Sequence, residues 1–282
     1  MENQYISIAY EDVNKQKAAR LTECATGLLF RRTEDNRLKL AHANFCRVRL
    51  CPICAWRRSM KTHAHMMKIL EAAKPKKLVY LMVTLTMRNT DGDGLSGALD
   101  KLISGFHKMV RRKRFGVWVG WYRGVEVTHN MAENTFHPHI HALVAVKPGY
   151  FKGKGYIKQE ELCEEWKTAL GVKYTPVCDV RRCYGISVKA VSEVAKYTTK
   201  SADIICFDDW DMTTETVRVL DEAFDGRRFI AYGGLFKELH KELNLGDEED
   251  GDLIRVGDGD DVETVPDELL FWWHTGYGRY VK

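Results

Sequence analysis

The 282-residue chain lacks any run of about 18 apolar residues, the length a helix needs to cross a bilayer. That argues against a membrane span. Its first residues, MENQYISIAYEDVNKQK, have no basic segment followed by an apolar one. We therefore expect no secretory leader and a cytoplasmic location. Proline is scarce, at 6 residues, and no repeat or low-complexity tract stands out beyond the acidic stretch 247–263. Fibrous and linker-dominated architectures are excluded, and 45% hydrophobic residues suffice for a core. Eight cysteines in a reducing compartment do not predict a disulfide framework; some should be metal ligands and others buried thiols.

The net charge of +4 conceals an asymmetry. Residues 241–282 carry 12 acidic and 4 basic side chains, which leaves 39 basic and 27 acidic in residues 1–240. A basic body suits a polyanion, and an acidic tail is either simply solvated or competes for the same surface. We divide the chain into a Cys- and Arg-rich head (1–72), a middle domain (75–240) and the acidic tail (241–282). The boundary falls at Ala72-Ala73-Lys74-Pro75-Lys76-Lys77, where proline breaks a helical pattern.

The middle domain reads clearly. LVYLMVTLT (78–86) has the apolar, β-branched make-up of a central strand. Leu95, Leu99, Leu102, Ile103, Phe106, Met109 and Val110 recur at helical spacing. Strands follow at 116–130 and 136–146, joined as a hairpin. Leu162, Cys163, Trp166, Ala169 and Leu170 mark a second helix, 175–183 a short strand, and about 188–200 a third helix. The predicted class is α+β, with a ferredoxin-like βαββαβ order and an antiparallel sheet.

His137-Pro138-His139-Ile140-His141 is the sharpest local signal. Side chains alternate along a strand, so the three imidazoles share one face. His139 and His141 can hold one metal ion. A hairpin loop centred on Glu133 and Asn134 sets Glu126 opposite His141 and Thr128 opposite His139, on that same face. A carboxylate beside two imidazoles suits Mn²⁺ or Mg²⁺ and leaves room for phosphate oxygens. A second signal is Ser192 to Lys200. In one helix, Glu193, Tyr197 and Lys200 at i, i+4 and i+7 fall within an arc of about 60°. A phenol near a metal-polarised phosphodiester can act as nucleophile, Glu193 can accept a proton, and Lys200 can neutralise charge.

Cys51-Pro52-Ile53-Cys54, with Cys46 and Cys24, makes a candidate tetrahedral zinc site, His42 being an alternative to Cys24. A redox CxxC is the rival reading, but no thioredoxin-like pattern surrounds it. Arg47, Arg49, Arg57, Arg58 and Lys61 surround the knuckle with Trp56 among them. Lys108, Arg111, Arg112, Lys113 and Arg114 form a second basic cluster. Both suit phosphates, and Trp56 suits an unstacked base.

Together, HPHIHALVAV, Thr84-Leu85-Thr86, Tyr197-Thr198-Thr199-Lys200, NFCRVRLCPICAWRRS (44–59) and RRFIAYGGLFKEL (227–239) resemble the rolling-circle replication initiators of small Gram-positive plasmids, within the histidine-hydrophobic-histidine (HUH) endonucleases. The similarity spans about residues 20–240. It implies a site-specific nickase and strand transferase that cuts one strand of double-strand origin DNA, links Tyr197 to the 5′-phosphate and frees a 3′-hydroxyl primer. In one branch a glutamate four residues before a single tyrosine activates water to end the round, and Glu193 with Tyr197 matches that branch. Host helicase and polymerase partners are implied by the resemblance alone. Two other readings stand beside it: a noncatalytic nucleic-acid-binding module, and another HUH enzyme such as a relaxase or transposase.

Overall fold

The computed structural model describes residues 2–183, 191, 195, 198–257 and 264–282. Two short helices open the chain, α1 (Glu2–Val13) and α2 (Lys15–Thr22), separated by Asn14. The Asn14 side chain accepts from the Lys17 amide at 3.0 Å and so caps α2. A hairpin follows, β1 (Gly27–Thr33) and β2 (Leu38–Ala43), then the long helix α3 (Pro52–Ala73). Pro52 opens α3, where a missing N–H costs nothing, and the Cys51 side chain caps it. A 3₁₀ turn at Lys74–Lys76 and Lys77 at φ 50° end it.

The middle of the chain supplies β3 (Val79–Thr86), α4 (Gly92–Val110), β4 (Trp118–Asn130), β5 (Thr135–Val146), α5 (Gln159–Leu170) and β6 (Cys178–Cys183). Beyond it come α6 (Trp210–Phe224), β7 (Ile230–Gly234), α7 (Leu235–Glu242), β8 (Thr264–His274) and β9 (Arg279–Val281). The result is a mixed α+β protein with two antiparallel sheets, ordered β6-β3-β5-β4-β7 and β2-β1-β8-β9.

The two-residue period of the central strands separates two cores. Leu81, Val83 and Leu85 of β3, Val125 and Val127 of β4, and Ile140, Ala142, Val144 and Val146 of β5 meet Leu95, Leu99, Leu102 and Phe106 of α4. Trp166 of α5 is fully buried there, and its indole N–H donates to the Thr86 carbonyl at 2.8 Å. On the opposite face, Tyr80, Tyr122, Leu143 and Ala145 meet Met66, Ile69 and Leu70 of α3 and Phe236 and Leu239 of α7. The predicted histidine face is this second one, continued toward the end of the sheet.

The acidic C-terminal region is built into the structure. Glu248 and Glu249 are 3% exposed. Glu249 accepts from the Phe229 amide at 3.0 Å and from Arg49 at 2.6 Å. Strand β8 then pairs with β1 of the head, Leu28 opposite Phe271 and Gly27 opposite Trp272. Gly27 is needed here, because a Cβ would lie 2.8 Å from the Trp272 ring. The 271–273 aromatics therefore belong to the body of the chain. The simply solvated tail is not what forms. Among the described residues, Asp247, Glu249, Asp267 and Glu268 pair with arginines, and β8 finds the edge of β1.

Glu249 neutralises Arg49 and satisfies the buried Phe229 N–H, so Glu249→Ala should cost on the order of 3 kcal/mol. Asp250→Ala, at a side chain 70% exposed, should change stability by less than about 0.5 kcal/mol. Urea unfolding of the two variants measures the contrast.

Candidate metal and nucleic-acid site

Strands β4 and β5 pair with Glu126 opposite His139, Thr128 opposite His137 and Gly124 opposite His141. This corrects the predicted register by two residues. The turn occupies 131–134, one residue earlier than a loop centred on Glu133 and Asn134 would place it. Asn130 Oδ1 accepts from the amides of Ala132 and Glu133, and Asn134 takes a left-handed φ of 47°. A shift of two preserves parity, so Glu126 stays on the histidine face.

There the three predicted ligands meet. Glu126 Oε2 lies 3.2 Å from His141 Nε2 and 3.5 Å from His139 Nε2. Glu126 and His139 are buried, at 5% and 8% exposure. Burial works against a charge on Glu126, but hydrogen bonds and attraction from His139 and His141 outweigh it. The carboxyl is held far below its usual range and stays ionised. Each imidazole is oriented through its other nitrogen. His139 Nδ1 donates to the His137 carbonyl at 3.1 Å, and His141 Nδ1 meets Thr84 Oγ1 at 3.2 Å. Both Nε2 atoms are thereby turned toward Glu126, the arrangement that metal-binding histidines adopt. The donor set fits a divalent ion. His137 is engaged elsewhere, with Nδ1 2.8 Å from Asn89 Oδ1.

Lys200 reaches this cluster, its Nζ 3.6 Å from Glu126 Oε1. It does so from extended backbone (φ −97°, ψ 155°), not from the predicted helix. The helix does not extend through 198–200, because the Thr198 carbonyl instead accepts from the Val127 amide at 2.7 Å, beside β4. Tyr197 and Glu193 lie outside the described residues.

Cys24, Cys46, Cys51 and Cys54 come together and are all buried. The Sγ atoms of Cys24 and Cys51 are each 3.6 Å from a neighbour in the set, and Cys46 Sγ is 3.7 Å from Cys54. One ion about 2.3 Å from four tetrahedral thiolates would space them about 3.8 Å apart, so the cluster fits zinc. Amide N–H groups of Cys46 and Arg47 point at Cys24 and Cys54 sulfurs, at 3.3 and 3.2 Å. Hydrogen bonds from Cys24, Cys46 and Cys51 push the Cys54 thiol down, while contact with the Cys24 sulfur pushes Cys46 and Cys51 up. His42, the alternative ligand, sits on β2 opposite Leu29, outside this set.

The basic residues divide. Arg57 and Lys61 are buried, at 9% and 4% exposure. Arg57 donates to the carbonyls of Leu253 and Ile254, Lys61 to those of Asp247 and Asp252, and Arg58 to that of Glu249. Arg49 pairs with Glu249, and Arg47 is exposed. These side chains therefore hold the chain's own acidic segment. At the end of α4, Arg112 and Arg114 pair with Glu165 and Glu161, while Lys108, Arg111 and Lys113 are exposed. Trp56 is 48% exposed and lines a pocket of about 480 Å³ that Lys200 also lines.

Comparison with known proteins bears on this geometry. A family model described as "Replication protein" matches residues 37–281. The chain belongs to the replication-protein family. "Protein rep" of Bacillus amyloliquefaciens is 42% identical over 288 residues, covering 94% of this chain and 85% of the relative. "Protein rep" of Streptococcus pneumoniae serotype 2 is 36% identical, covering 93% and 82%. "Protein rep" of Lentilactobacillus hilgardii is 34% identical, covering 95% and 88%. No solved structure matches. The resemblance to a Gram-positive plasmid replication initiator stands on these relatives.

In this replication protein, sequence reasoning missed the orienting role of Thr84. The Thr84-Leu85-Thr86 motif was the available signal, since its alternation puts Thr84 on the face of His141. Thr84→Val should loosen His141 and weaken divalent-ion binding by about 10–100-fold, read by manganese titration. Cys54→Ser should abolish retention of one zinc per chain, measured by atomic absorption, and lower the unfolding midpoint.

Proposed function

We propose that this replication protein is a rolling-circle initiator that nicks one strand of its plasmid's double-strand origin with Tyr197. The carrying observation is the Glu126–His139–His141 cluster, with Glu126 and His139 buried and Lys200 beside it. The hydrogen bond from Val127 to the Thr198 carbonyl, one residue after Tyr197, supports bringing the tyrosine motif to the same sheet. The antiparallel order β6-β3-β5-β4, connected as βαββαβ, supports a ferredoxin-like HUH domain.

A divalent ion held by His139, His141 and Glu126, manganese or magnesium, would polarise the scissile phosphodiester and stabilise the charge that develops on it. The Tyr197 oxygen attacks phosphorus, a Tyr–O–P bond forms, and the P–O3′ bond breaks. The released 3′-oxygen takes up a proton and becomes the primer hydroxyl. Glu193 accepts a proton, from Tyr197 or later from the water or strand that ends the round. Lys200 offsets negative charge at the phosphate. The four-cysteine cluster would hold a structural zinc, tying Cys24 and Cys46 to the start of α3. Trp56 and the exposed basic residues at the end of α4, Arg111 among them, receive DNA. A binding-only module has no need of two oriented imidazoles sharing a buried carboxylate.

A labelled origin oligonucleotide with manganese should yield a covalent protein–DNA adduct. Tyr197→Phe should abolish it, and an adduct persisting in that variant would overturn the assignment. His139→Ala should slow nicking by roughly 10²-fold or more. Glu193→Ala should spare the first cleavage and impair termination. With about six phosphate contacts, origin affinity should fall roughly 10³-fold between 50 and 200 mM salt, read by filter binding.

A further inference from the structure

A second set of nitrogen and oxygen donors converges away from the histidine strand. His65 stands on α3, His240 on α7, and Glu248 in the acidic segment that follows. Glu248 Oε1 lies 2.7 Å from His65 Nδ1 and 3.0 Å from His240 Nε2, and the three ligand atoms are all within 4.8 Å of one another. Glu248 is 3% and His65 9% exposed. The Tyr232 hydroxyl donates to the same oxygen at 2.8 Å. Beside them a pocket of about 420 Å³, lined by Tyr232, His240 and Glu248, offers a path from solvent.

Three groups crowd one carboxylate oxygen that has two in-plane lone pairs. A neutral imidazole offers a lone pair on one nitrogen, and here His65 turns Nδ1 and His240 turns Nε2 toward the same point. Atoms about 2.0–2.2 Å from a single ion lie at most about 4.4 Å apart, a span the two Glu248 contacts satisfy. The composition, two imidazoles and one carboxylate, equals that of the Glu126 cluster. Imidazole donors favour zinc, cobalt or nickel over magnesium.

We propose that His65, His240 and Glu248 bind a divalent transition-metal ion of the zinc class, at a site separate from both the four-cysteine cluster and the histidine strand. The ion fastens the acidic segment to α3. That segment is already laid along the helix by Lys61, which donates to the carbonyls of Asp247 and Asp252, and by Arg57, which donates to those of Leu253 and Ile254. Tyr232, bonded to the ligating carboxylate, is a positioning residue. The site rests on these contacts and does not depend on the nicking reaction.

Cobalt(II) reports the site in the full-length chain, because thiolate ligation gives intense near-ultraviolet charge-transfer bands, whereas nitrogen and oxygen ligation gives only weak visible bands. A His139→Ala/His141→Ala variant removes the strand site. It should still bind one cobalt with the weak visible spectrum, in addition to the thiolate-bound one. Adding His240→Ala should remove that equivalent and leave the thiolate bands, and Tyr232→Phe should retain it with affinity weakened by up to about 100-fold. Absence of the weak-spectrum equivalent from the His139→Ala/His141→Ala protein overturns the proposal. So does its persistence, undiminished, after His240→Ala. Should His240→Ala fail to fold by circular dichroism, His65→Gln takes its place, and the count in the protein with both ligands intact still decides the first outcome.

Discussion

The alternation of side chains along β5 is the constraint on which the rest depends. One residue in two must enter the core under α4, and Ile140, Ala142, Val144 and Val146 do so. His139 and His141 are then committed to the opposite face. Burial of the apolar set thereby fixes the direction of the polar set, and a slip of one residue would reverse both at once. The same parity turns Glu126 on β4 and Thr84 on β3 to that face. Carboxylate, imidazoles and orienting hydroxyl meet there without a loop having to carry them. A site built on the middle of a sheet is held to the precision of the ladder itself.

A second organising force is charge neutralisation across long sequence separations. The basic head and acidic C-terminal region share a surface instead of standing apart. Arg49 to Glu249 is a short ion pair in which the carboxylate is almost wholly buried. Arg57, Arg58 and Lys61 donate to backbone carbonyls of 247–255, so their positive charge is directed at main-chain oxygens. The exposed basic surface of this replication protein is consequently narrower than a count of basic residues implies.

Much of the middle of the chain was legible. The apolar run at 78–86, the helical spacing from Leu95 to Val110 and the histidine alternation at 137–141 correspond to β3, α4 and β5, because period and burial are local properties of a sequence. The four cysteines were legible by spacing together with residue type. Less legible were features set by pairing at a distance. The hairpin register depended on whether the turn used four residues ending at Asn134, and Lys200 left the helical pattern because the Thr198 carbonyl found the Val127 amide. Contacts of the head were likewise not legible: Ile6, Ala9, Tyr10 and Leu21 join the main core.

The sequence by itself determined parity, element type and ligand chemistry: which residues could share a face, and which donor atoms that face would offer. Only the tertiary structure decided which separated segments meet. It paired β8 with β1, seated Glu249 against Arg49, and gathered His65, His240 and Glu248 from three elements. Local periodicity follows from the geometry of one backbone, whereas contacts between distant segments follow from which arrangement buries the most apolar surface while leaving no charge without a partner.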